Sequence, residues 1–130
     1  MIVVGVDYGR ARTGIAVSDP SGTIARPLTV VAGAGSPKGL AAIARLVEEV
    51  RAELVVVGLP VAPDGRHGAQ AQSTLAFVGR LRRLLLVPVE LRDERLTTAI
   101  AERLGGEAGL DARAAAVILQ EHLDAGEGAA

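Results

Sequence analysis

The chain has 130 residues, 49% of them hydrophobic but only 2% aromatic, with a formal net charge of −1. That length suits one domain whose core is built from Val, Leu, Ile and Ala, and an aromatic platform for stacking exposed bases is not expected, because Tyr8 and Phe77 are all that Phe, Tyr and Trp contribute. The absence of cysteine excludes disulfides, thiolate zinc sites and thiol nucleophiles. The apolar runs Ile2–Asp7 and Thr13–Ser18 read as strands, and a looser run at Ile24–Val31 is interrupted by Pro27. Short turns containing Gly9 and "DPSG" at 19–22 predict an antiparallel meander of these three. Ser36 as N-cap and Pro37 at the first helical position then open a helix with Leu40, Ile43, Leu46, Val47 and Val50 on one face.

"LVVVGLP" at 54–60 is a continuous apolar run, as expected of a strand buried on both faces. A loop rich in Gly and Pro, "PVAPDGRHG" at 60–68, follows it. Ala69–Leu84 reads as a second helix with Leu75, Val78, Leu81 and Leu85 inward, and "LVPVELRDE" as another strand that ends in acids. Thr97–Leu104 and Asp111–Leu123 read as two further helices separated by "GGEAG". The predicted fold class is α/β: a five-stranded mixed sheet, a three-strand antiparallel meander plus two parallel strands, with helices on both faces. Residues 1–124 are expected to form a single domain and 125–130 a flexible tail. No basic leader and no apolar run of bilayer length is present, so the expected location is cytoplasmic.

In open sheets of this kind, sites lie outside the carboxyl ends of the strands, where Asp7 and the pair Asp93–Glu94 fall. Each acid has an ordinary reading. Asp7 suits a turn cap, Glu94 a solvated strand end and Asp111 an N-cap. Together they suit another role, because three carboxylates brought to one edge would repel unless a cation joined them. Oxygen ligands favour Mg2+ or Mn2+, and two such ions roughly 3.5–4 Å apart stabilise both the attacking and leaving oxygens in phosphodiester hydrolysis. Thirteen of the fourteen basic residues are Arg. Arg10, Arg12, Arg66 and Arg95 lie beside these motifs and suit contacts to backbone phosphates, whereas Arg92 reads as a partner for a nearby carboxylate. His67 is a candidate proton shuttle in the glycine loop, and His122 lies within the last helix.

Four motifs, "VDYGRARTGIAVSD", "VVGLPVAPDGRHG", "DERLTTAIAERL" and "LDARAAAVILQEHLD", occur in this order. On these the chain resembles the YqgF/RuvX family from Ile2 to Leu123, a family described both as pre-16S rRNA nucleases and as Holliday junction resolvases. The resemblance implies an RNase H-like fold. It also implies a metal-dependent nuclease that acts in ribosome biogenesis at the 5′ end of pre-16S rRNA, with Asp7, Glu94 and Asp111 as the catalytic, metal-binding triad. Two positions depart from the family pattern. Ala11 stands where a lysine is usual, leaving Arg10 to supply the charge, and His67 stands where an acid is common. The implied partners are RNA or branched DNA, with no membrane; symmetric cutting of a four-way junction would require a homodimer. A non-catalytic nucleic-acid-binding module, with the acids serving as caps, is the alternative from a different class. A sugar-kinase or actin-like ATPase reading of the first turn needs a second domain for which 130 residues leave no room.

Overall fold

Alternating side chains of one central strand divide the core. A computed structural model describes residues 1–95 and 108–126, with the backbone alone at residue 95 and at 108–111. Strand β1 (Val3–Asp7) is followed by β2 (Arg12–Ser18), β3 (Ala25–Ala32), helix α1 (Pro37–Glu49), β4 (Leu54–Val61), α2 (Ala69–Arg82), β5 (Val89–Arg95) and α3 (Ala108–Asp124). The strands form one sheet in the order β3-β2-β1-β4-β5, antiparallel from β1 to β3 and parallel at β1–β4 and β4–β5. Successive residues of a strand face opposite sides. Val4 and Val6 accordingly join Leu40, Ile43 and Val47 of α1 and Phe77, Val78 and Leu81 of α2 in one cluster. Val3 joins Ala16 and Val56 against Ala115, Ile118 and Leu119 of α3 on the other side. The expected mixed sheet with helices on both faces is therefore observed.

The details follow from local chemistry. Ser36 caps α1 by accepting from the Gly39 amide at 3.1 Å, with Pro37 at the first helical position as expected. Pro27 is tolerated because β3 is an edge strand, and the register shifts where Ala16 faces Pro27 and Ile15 faces Thr29. The run at 54–60 is buried on both faces, as read from its continuous apolarity, and the strand extends to Val61. Two expectations need correction. The helix expected to reach Leu84 ends at Arg82, and Leu84 is half exposed. The last helix begins at Ala108, not Asp111, so part of the "GGEAG" separator is helical. The helix expected over Thr97–Leu104 lies outside the described residues.

Helix α3 lies close on the sheet because two facing positions carry no side chain. A Cβ added at Gly5 would sit 2.7 Å from Leu119 Cβ and 3.0 Å from the Ala115 carbonyl oxygen. One added at Gly58 would sit 2.6 Å from Ile118 Cδ1. Farther along α3, Gln120 fixes the edge: its Oε1 accepts from the Ala25 amide at 2.9 Å and its Nε2 donates to the Thr23 carbonyl at 3.0 Å. The direction of α3 follows from these contacts. Gln120 lies at the end where β1 begins, so the helix runs back from there toward the end where Asp7 stands.

Gly5→Ala is expected to push α3 off the sheet and lower stability by about 1–3 kcal/mol through overpacking. Urea unfolding of the two proteins measures this, and equal midpoints would show that α3 does not need the close approach.

Candidate active site

Asp7 is the last residue of β1 and faces the same side as Gly5, toward α3. The next residue turns the other way: the Tyr8 ring packs on Phe77 with centroids 4.3 Å apart and planes at 17°. Tyr8 and Phe77 are thus both committed to the core. The chain then reverses at Gly9, where any Cβ would collide with the Arg12 carbonyl oxygen. Thr13 pins the reversal, since its hydroxyl donates to the Gly9 carbonyl at 3.1 Å and accepts from the Gly9 amide at 3.2 Å. Arg10 and Arg12 are exposed on this turn. A cleft of about 300 Å3 opens there, lined by Asp7, Gly9, Arg10, Arg12 and Gln70 among others.

Gln70 was not foreseen from the sequence. Its Nε2 donates to the Tyr8 carbonyl at 3.0 Å, tying the first turn of α2 to the residue after Asp7. The available signal was its place at the second position of a helix that follows a glycine loop.

On β5, Val89 and Leu91 pack with the α1–α2 side, so Arg92 and Glu94 face α3. Gly58 pairs with Arg92 and Pro60 with Glu94, and the Val6–Val57 pairing carried one step on sets Asp7 beside Gly58. Asp7 and Glu94 therefore share one face of the sheet at its carboxyl edge, two strand spacings or about 10 Å apart laterally. The residue between them, Gly58, has no side chain. Glu94 is only 9% exposed, which rules out the solvated strand end as its environment; Asp93, on the opposite side, is the exposed one. A carboxylate removed from water needs charge or hydrogen-bond compensation. Arg92 Nε lies 3.5 Å from Glu94 Oε1 and 3.8 Å from Glu121 Oε2 of α3. Arg92 is thus the carboxylate partner that its position suggested.

The capping reading of Asp111 fails for a geometric reason. An N-cap residue has non-helical backbone angles, whereas Asp111 is the fourth residue of α3. It stands one turn before Ala115, which touches Gly5, and so its backbone lies toward the Asp7 edge. Its side chain is outside the described residues, and among the described residues no three acidic or histidine side chains surround one point. Asp7 and Glu94 nonetheless supply the hard oxygen donors that Mg2+ or Mn2+ takes, on one face of the sheet, and so fit such a cation as part of its ligand set.

Three other candidates, Arg66, Arg95 and His67, lie at or beyond the carboxyl ends of β4 and β5. Arg66 sits in the loop after β4, exposed, with its Nε 3.2 Å from Asp64 Oδ2, and does not line the cleft. Arg95 ends β5 beside Val61. His67 is exposed in the glycine loop, and His122 is buried on α3.

Strand β1 thus pairs in parallel with β4 and antiparallel with β2, carries an acid at its carboxyl end and lies under a helix drawn close over it. A sequence model described as "RuvX: Holliday junction resolvase" matches residues 1–125, and the chain belongs to that family. A relative from Chloroflexus aggregans, named "Putative pre-16S rRNA nuclease", is 42% identical over 132 residues, covering 95% of this chain and 93% of the relative. One of the same name from Anaeromyxobacter sp. (strain Fw109-5) is 45% identical over 133 residues, covering 95% and 97%. Among solved structures, T. thermophilus RuvC in complex with Holliday junction substrate aligns with a TM-score of 0.59 at 21% identity, over 98% of this chain and 97% of that one. The fowlpox virus resolvase in complex with Holliday junction DNA aligns with a TM-score of 0.58 at 11% identity, over 96% and 98%. The fold is RNase H-like, and the family is one of nucleases by name.

Asp19, the acid that follows β2, belongs to the opposite edge and to a different task. Its Oδ1 accepts from the amides of Thr23 at 2.8 Å and Ile24 at 2.9 Å, and the Ser21 hydroxyl donates to Oδ2. These bonds, led by the Ile24 amide, hold its carboxyl well below the usual aspartate range. A depressed native pKa stabilises the fold above the unfolded value, about 3.9, and the stabilisation is lost as pH falls below it. Asp19→Asn is therefore expected to lower stability by a constant amount from pH 5 to 7, with the gap to the wild type closing below about pH 4. Thermal unfolding across that range measures it; a gap that widens in acid would contradict the capping role.

Proposed function

We propose that the chain is a divalent-metal-dependent nuclease that hydrolyses phosphodiester bonds at the 5′ end of pre-16S rRNA. The observation that carries this reading is the cleft at the mouth of β1, where Asp7 meets Arg10 and Arg12 and shares a sheet face with the buried Glu94. The names of the relatives from Chloroflexus aggregans and Anaeromyxobacter support RNA as the substrate class.

The roles follow from charge and position. Asp7 and Glu94 hold the cations, with Asp111 as the third acid of the set. The bound cations supply Lewis-acid stabilisation of charge on the reacting phosphate. Arg10 and Arg12 bind phosphates flanking the scissile one and so align the backbone over Asp7; Arg66 and Arg95 extend that grip along the rim. Such contacts position a strand without reading its sequence. Water adds across the phosphodiester: its oxygen bonds to phosphorus, one P–O ester bond breaks, and the leaving oxygen takes a proton to become a hydroxyl. Rigid β1 suits the task, because a ligand on a core strand is held more firmly than one on a loop.

A second reading, cleavage of four-way DNA junctions, draws on the description of the matched family. Pure protein with Mn2+ or Mg2+ is therefore to be offered a 5′-extended 16S rRNA fragment and a four-way junction. Cleavage of the RNA with the junction spared is the expected result, and the reverse would make the chain a resolvase. Asp7→Asn is expected to reduce cleavage at least about 100-fold with an unchanged thermal midpoint, as loss of a metal-holding group in a preorganised site would. A normal rate in that variant would remove Asp7 from the site. Arg12→Ala is expected to weaken RNA binding and to reduce the slope of log affinity against log salt by about one. An unchanged slope would make Arg12 a structural residue of the turn.

A further inference from the structure

Arg92 stands between two acids. Its Nε is 3.5 Å from Glu94 Oε1 on its own strand and 3.8 Å from Glu121 Oε2 on α3. The arrangement is set by the fold. Arg92 and Glu94 are two apart on β5 and so share a face, while the close approach of α3 at Gly58 brings Glu121 over that face. The Arg92 side chain is about one quarter exposed, Glu94 nearly buried and Glu121 open to water. The nearly buried acid is the proposed cation ligand, and the open one is outside every role assigned above.

We infer that Arg92 is a positioning residue that competes with the metal ion for Glu94, and that Glu121 sets the strength of the competition by drawing Arg92 away. Without a cation, the guanidinium offsets the charge of a carboxylate that has little water around it. A cation arriving at Glu94 meets that guanidinium as a like charge in a poorly hydrated setting, where Coulomb forces are screened less than in bulk water. Glu121 offers the displaced guanidinium a second carboxylate within ion-pair reach, so Arg92 moves between partners and is not expelled into solvent. The two flanking groups then act in opposite senses on one equilibrium.

This inference rests on Glu94 being a cation ligand, and the test separates the two ideas. Binding of Mn2+ alone to the full chain is measured by titration calorimetry for the wild type, Asp7→Asn, Arg92→Gln, Glu121→Gln and the double variant. Thermal unfolding of each checks the fold. Arg92→Gln is expected to tighten Mn2+ binding about three- to tenfold and Glu121→Gln to weaken it by a similar factor. In the double variant, Glu121→Gln is expected to have almost no further effect, because its action passes through Arg92. If Arg92→Gln does not fold, weakening by Glu121→Gln in the wild type and its absence in an Arg92→Met background give the same reading. Weaker or unchanged binding in Arg92→Gln, with Asp7→Asn still abolishing it, would overturn the inference and leave the nuclease reading standing. An equal effect of Glu121→Gln with and without Arg92 would also overturn it, as direct charge action. No saturable Mn2+ binding by the wild type would remove both.

Discussion

The approach of α3 to the sheet is the constraint on which the rest of the molecule depends. Gly5 and Gly58 leave a strip of bare backbone on neighbouring strands, and Leu119, Ala115 and Ile118 fill it. A helix held off by ordinary side chains would sit farther away, near the 10 Å expected of packed layers. Drawn in, α3 brings its first turns, with Asp111, toward the carboxyl edge that carries Asp7 and Glu94. The same contact sets Glu121 over Arg92. One packing feature thus fixes the relative placement of the acids and of the charge that neutralises one of them.

The opposite face serves rigidity. Tyr8 stacks on Phe77 directly after Asp7, and Gln70 holds the Tyr8 carbonyl. The chain leaves the core through a glycine that admits no Cβ, and Thr13 closes the turn with two hydrogen bonds. The arginines are therefore displayed on a pinned reversal and not on a free loop. Flexible side chains on a fixed backbone suit a ligand recognised by repeating phosphates: local fit comes from the side chains, and register from the turn.

Much of this was legible in the chain because strand order and periodicity are local signals. The continuous apolar runs at Ile2–Asp7 and 54–60, the turn at "DPSG" and the Ser36–Pro37 helix start led to the right sheet. The acids at strand ends were legible for the same reason. The start of the last helix was placed at Asp111 because "GGEAG" reads as a helix stop, yet Ala108 and Gly109 are helical. Contacts between distant segments left little trace. Glycine inside a strand does signal a close backbone approach, and Gly5 and Gly58 carry that signal without naming the helix that uses it. The bridging of Arg92 to Glu121 and the hold of Gln70 on Tyr8 depend on how elements pack, which periodicity along one segment does not encode.

The central claim is that Asp7, Glu94 and Asp111 hold a divalent cation at the carboxyl edge of the sheet. Crystals soaked in Mn2+, with diffraction recorded at the manganese edge, test it most directly. The account predicts anomalous density bounded by the Asp7 and Glu94 carboxylates with the Asp111 side chain turned toward it. Manganese found only elsewhere on the surface, or an Asp111 carboxylate turned away into solvent beside an empty edge, would contradict it.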